Sequence, residues 1–294
     1  MKRVIALVLC IGALPFVFNA SAYAGEKAKS EGLETKGETK QSTAEWLWED
    51  YKKPVGLTYN AQAKIQAAYL WRGQYSGAFN LQASANVGYG GLYFDMWWNL
   101  GTYDWSFNSF QPEVDFSLGF SRWGLNIYML YVHNFDCGFF DFSNKFGGGN
   151  RLELDVLYTL SNKVPLTIRW ATRVAASDGY FPDSISPLQR AYSSYLELSY
   201  THKFKYDISL YGAVGISPWK STYTWYVRDF GVVNIDVRLR KDWSLSERCG
   251  LMLQGQVMLN PSMLAYDPKS YEWHPNAPAA QTVNANIAVG VYLK

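Results

Sequence analysis

Three histidines, His133, His202 and His274, are the first residues to weigh for catalysis, because an imidazole takes up and returns a proton near neutral pH. His133 lies close in sequence to Asp136, Asp141 and Ser143, the residue types of a Ser-His-carboxylate arrangement, and a barrel hydrolase acting on lipid or envelope substrates would use such a set. Nothing in the spacing selects it. His202 falls at a tight turn and His274 in a long loop, as Trp273-His274-Pro275. No His, Cys, Asp or Glu cluster has metal-ligand spacing. The run Gly147-Gly148-Gly149 lacks the Gly-Lys-Ser/Thr ending of a phosphate loop. The expectation is no catalytic residue, no metal, no cofactor and no enzyme.

Charged residues show more order. Lys64 and Arg72, Asp95, Glu113 and Asp115, Glu153 and Asp155, Arg169 and Arg173, Arg238 and Arg240 all fall on the polar phase of segments that alternate polar with apolar. Charges in that pattern suit the wall of a water-filled bore. Acidic and basic sides would set up a transverse field that orients polar solutes, with Arg72, Arg238 and Arg240 facing Glu113 and Asp115. The competing arrangement is pairing of neighbours, Glu153 and Asp155 with Arg169 and Arg173, because buried charge needs a partner.

Such residues must be held by strands. From Asn60 onward the apolar period is two, in segments near the ten residues a tilted transmembrane strand requires. Leu81, Ala83, Ala85 and Val87 alternate with Gln82, Ser84 and Asn86, and the chain closes on Val283, Ala285, Ile287, Val289, Val291 and Leu293 against Asn284 and Asn286. About twelve such segments follow one another, an even number, and long connections after odd segments alternate with tight turns after even ones. Gly73 to Phe79 reads as a short first loop, and Lys241 to Arg248 as a slightly long turn. The fold class expected is all-β, a transmembrane antiparallel barrel over residues 60–294 whose last strand closes on its first, since an open edge is intolerable in hydrocarbon.

Before the barrel, Met1 to Ala24 reads as a removable signal peptide, 25–41 as a disordered periplasmic leader, and 42–53 as a short amphipathic periplasmic helix opened by Ser42-Thr43-Ala44-Glu45. That helix would pack at the barrel mouth or plug the lumen. The chain is 17% aromatic, with 22 Tyr and 12 Trp, as rings accumulate where hydrocarbon meets water. A net charge of +2 from 27 basic and 25 acidic residues argues against nucleic acid. Cys137 and Cys249 fall at opposite ends of the strand map and are expected as free thiols.

The stretch Tyr69-Leu70-Trp71-Arg72-Gly73-Gln74, followed by Gly91-Leu92-Tyr93-Phe94-Asp95-Met96-Trp97, Glu113-Val114-Asp115-Phe116 and Asn150-Arg151-Leu152-Glu153, resembles a family of bacterial outer-membrane porins of TorF type. The likeness spans about the first half of the mature chain. The end, Tyr292-Leu293-Lys294, departs from the aromatic terminus usual in such barrels. The resemblance implies a passive outer-membrane channel. Its expected partners are small polar solutes, outer-membrane lipid and lipopolysaccharide, and the barrel assembly machinery. A closed structural or adhesive barrel presenting the aromatic stretches Trp219 to Tyr226 and Tyr266 to Trp273 is the other alternative.

Overall fold

The computed structural model describes residues 56–100, 103–104, 109–110, 112–146, 149–183, 185–226, 228–264 and 283–293. The signal peptide, leader and 42–53 helix expected from sequence, together with His274 and the Tyr266–Trp273 loop, lie outside these residues.

Twelve strands form one closed antiparallel barrel. In chain order they are β1 (Leu57–Trp71), β2 (Gln74–Tyr89), β3 (Leu92–Asn99), β4 (Glu113–Arg122), β5 (Leu125–Asn134), β6 (Arg151–Thr159), β7 (Leu166–Ala176), β8 (Ser194–Lys203), β9 (Ile208–Ser217), β10 (Gly231–Ser244), β11 (Cys249–Leu259) and β12 (Val283–Leu293). Each pairs with its chain neighbours. β12 closes on β1 through Ala61↔Leu293 to Gln66↔Ala288, so the wall has no free edge over that stretch.

The period of two seen in the sequence is a partition between outside and inside. On β12, Val283, Ile287, Val289, Val291 and Leu293 are 45–58% exposed, while Asn284 and Asn286 between them are buried. Leu92 and Phe94 on β3, Leu118 on β4 and Leu239 on β10 extend the apolar exterior. Exposed rings gather at both rims, with Tyr59, Tyr89, Trp123, Tyr206 and Trp243 near the short turns, and Phe135, Phe140, Phe181, Tyr192 and Phe230 near the long loops. An apolar belt between two aromatic girdles is the surface a bilayer selects.

Two-residue turns at Gly90-Gly91 and Trp123-Gly124 place both central residues at positive φ, the hairpin geometry that follows strand twist. The β9–β10 loop carries a 3-10 turn, Thr222–Thr224, capped by Ser221, whose hydroxyl accepts from the Tyr223 backbone N–H at 3.1 Å. One expectation from sequence is corrected. Gly73 to Phe79 is no loop: Arg72 (φ 46°) and Gly73 (φ 79°) form a two-residue turn, and β2 starts at once at Gln74.

Candidate functional site in the barrel lumen

The end of the β1–β2 hairpin leaves the wall and crosses the bore. Pairing of β1 with β12 stops at Gln66, although β12 continues to Val283 on its β11 side. Beyond that point the Ala68 N–H donates to the lumen-facing side chain of Asn286 at 2.9 Å, and the β1–β2 register slips between Ala68 and Leu70. The turn then seats on the inner face of β10 and β11. Gly73 N–H donates to Met258 Sδ at 3.2 Å, and Asn260 Nδ2 donates to the Gly73 carbonyl at 3.1 Å. A side chain at Gly73 would run into the Val233 carbonyl, so this close approach requires glycine as much as the positive φ does.

Arg72, at the tip, reaches the opposite wall. Its guanidinium forms ion pairs with Glu153 (2.7 Å) and Asp155 (3.2 Å) on β6 and donates to the Tyr223 hydroxyl at 2.6 Å. The rings of Trp71, Tyr195 and Tyr223 surround it at 4.4, 5.1 and 5.9 Å from their centroids. Tyr223 descends into the lumen from the β9–β10 loop and forms a dry cluster with Ala171, Tyr195 and Val233, against which Trp71 packs. Arg72, Glu153 and Asp155 are at most 4% exposed. Together the hairpin tip and the loop side chain occupy the bore toward the long-loop end.

The remaining residues picked out by sequence all line the interior, and most pair with near neighbours. Arg169 Nε donates to Asp155 at 2.6 Å, so Asp155 holds two guanidinium groups. Arg173 lies 3.8 Å from Asp178. Glu113 takes Arg151 at 3.1 Å and the Tyr69 hydroxyl at 3.1 Å. Arg238 and Arg240 pair with Asp236 (2.8 Å) and Asp242 (2.7 Å), each two residues away on the same face of β10. Glu153 is thus held by Arg72, and Arg238 and Arg240 are spoken for on their own strand. Lys64, Asp95 and Asp115 have no ion pair among the described residues. The polar phase of the strands marks Arg151, Glu197, Asp236 and Asp242 as interior on the same terms as the others. Tyr223, in a loop, carries no periodic signal.

Beneath the hairpin tip lies a cavity of about 210 Å³, roofed by Tyr69, Leu70 and Trp71 and walled by Lys64, Gln82, Asp95, Trp97, Asp115 and Gln254 among others. Its lining combines polar side chains from the inner phase of the strands with the rings of Tyr69, Trp71 and Trp97.

The long β5–β6 loop is organised by Asn150, which is 1% exposed. Its amide donates to the carbonyls of Gly138 (2.9 Å) and Asp141 (3.0 Å), and its oxygen meets His133 Nδ1 at 2.9 Å and Cys137 Sγ at 3.2 Å. His133 is therefore anchored to an amide. Asp141 instead takes the Ser143 hydroxyl at 2.6 Å and the Lys145 ammonium, contacts that hold its carboxyl well below the usual carboxylate range. Asp136 accepts from the Gly149 backbone N–H at 2.9 Å. The Ser-His-carboxylate set suggested by these residue types is not brought together. Burial pushes the Cys137 thiol up, and Cys137 and Cys249 are both free.

Asn150→Ala takes its partner from the Asp141 carbonyl and from the buried His133 imidazole. Each buried polar group left without its partner costs about 1–3 kcal/mol. The expected result is an unmoored loop, read as faster tryptic cleavage after Lys145 in the folded, detergent-bound protein. Unchanged cleavage would contradict the anchoring role.

No family model matches the chain, and no curated protein matches it in sequence. Among solved structures it is similar to KdgM porin, at 10% identity and a TM-score of 0.41, covering 80% of this chain and 98% of the porin. NanC porin shows 8% identity and a TM-score of 0.44 over 81% of this chain and 100% of that one. An anion-selective porin from Comamonas acidovorans shows 11% identity and a TM-score of 0.31 over 82% and 99%. Likenesses this distant leave the fold to the strand order above and the function to the side chains of the lumen.

Proposed function

We propose that this chain is an outer-membrane channel for small polar solutes whose bore is closed, in the conformation described, by its own first hairpin. The observation that supports this most is the hydrated type of interior. A barrel built only as a structural wall has no need of Lys64, Asp95, Asp115, Gln82 and Gln254 around a central cavity. The closure is ionic and hydrogen-bonded instead of a continuous apolar core, and contacts of that kind exchange for water when a segment swings out.

In this reading Met1 to Ala24 directs export and is removed, lipopolysaccharide and lipid surround the belt, and the barrel assembly machinery inserts it. Membership of the TorF-type porins is the finer form of the same proposal. The first of the stretches that carry the resemblance, Tyr69–Gln74, forms the tip crossing the bore. A second reading, a permanently closed structural barrel, is favoured by the depth of that same tip.

Planar-bilayer recording of the purified full chain separates the two. The channel reading expects brief conductance steps and a measurable reversal potential in a salt gradient. Insertion without current, in the native chain and in variants of the tip alike, would leave the structural reading standing.

A further inference from the structure

The cavity under the hairpin holds polar groups that the protein itself leaves unused. Gln82 is 2% exposed, and its Nε2 has no hydrogen-bond partner; one carboxylate oxygen of Asp115 is likewise buried without one. A buried donor and a buried acceptor left open in one cavity are costly unless something supplies the missing bonds. Lys64 and Gln254 line the same space, and neither makes a hydrogen bond or ion pair among the described residues. On one side stand Tyr69 and Trp97, with ring centroids 5.5 Å apart.

We infer that this cavity is a binding site for a single small polyhydroxylated solute of monosaccharide size, held with its hydroxyls on Gln82, Asp115, Lys64 and Gln254 and its C–H face on the Tyr69–Trp97 pair. The inference deepens the channel reading and rests on it. Three features select this class.

A hydroxyl both donates and accepts, and the open groups comprise donors (Gln82 Nε2, Lys64), an acceptor (Asp115) and an amide that is both (Gln254). The two guanidinium groups at the wall, Arg169 and Arg238, are paired with Asp155 and Asp236, and the remaining ionisable groups of the lining, Lys64 against Asp95 and Asp115, are of both signs, so the site lacks the run of one charge that a strongly ionic ligand needs. The volume, about 210 Å³, lies below the ~300 Å³ at which sites for drug-sized molecules begin. A volume of that size suits one ring.

The test is titration of the detergent-purified full chain with D-glucose, D-galactose and the zwitterion L-glutamine, followed by calorimetry and by Trp fluorescence. Saturable binding of at least one hexose is expected, weakened about tenfold in Gln82→Leu and in Asp115→Asn, each of which removes a group the fold does not use. Gln254→Ala serves as a further variant should either fail to fold, as judged by heat-modifiable electrophoretic mobility, and the same weakening is expected of it. No hexose binding, binding of L-glutamine alone, or hexose binding indifferent to the variants would overturn the inference. Bilayer recordings keep the two proposals apart. Hexose binding by a chain that never conducts sinks the channel and leaves the site, whereas current without hexose binding sinks the site alone.

Discussion

Arg72→Ala is expected to convert a barrel that rarely conducts into one that conducts steadily, with mean current per inserted molecule rising at least severalfold. The guanidinium is the one group that ties the hairpin tip to Glu153, Asp155 and Tyr223 together. Removing one partner of a buried ion pair costs about 3–5 kcal/mol, because the other charge is left uncompensated. Here the chain has a way to relieve that cost. If the tip swings out, Glu153 and Asp155 meet water, and the bore opens as they do so. Gly73→Ala tests the same movement by steric means, since its methyl would meet the Val233 carbonyl and the tip has no room to seat. Both variants should behave alike in planar bilayers although one removes charge and the other adds bulk. If neither changes the current while both retain a folded barrel, the hairpin is not what closes the bore.

Val289→Arg is expected to lower stability by about 2–4 kcal/mol, the range for a basic residue facing lipid near the bilayer midplane. Val289 is 57% exposed and lies about halfway along β12, between the outward-facing Ile65 and Leu253 on its two neighbours. Arginine there has only hydrocarbon around it, and its reach to either interface is incomplete. The rim position Tyr59, 59% exposed near the short turns, is the contrast, and Tyr59→Arg should cost about 0–1 kcal/mol. Equilibrium unfolding by urea in lipid vesicles measures both. Equal effects at the two positions would mean that the apolar face does not meet a membrane.

The strands were legible because their signal is local. Val283 to Leu293 declares its two faces without help from any other segment, and the same is true of Leu81 to Val87. The hairpin tip was not, because Gln74 to Phe79 carries no alternation and its path is decided by Val233, Met258 and Asn260, more than 150 residues away. The lumen shows the same division. Alternation places Arg72, Arg238 and Glu153 indoors, but a face is not a partner. Arg238 settles on Asp236 because residues two apart on a strand share a side, whereas Arg72 spans the bore to Glu153 because a distant turn carries it there. Opposed acidic and basic walls, read from strand order, take no account of either.

The inward course of the hairpin also leaves something behind in the wall. Val283 to Ile287 keep their β11 neighbours, whereas the register with β1 ends at Ala288, so among the described strands this segment is laddered on one side. With ladder pairing to one neighbouring strand only, this segment is the place for the cylinder to breathe. Its amides should exchange with deuterium before those of Val289 and Val291, and any slow sideways parting of the wall toward lipid would start there.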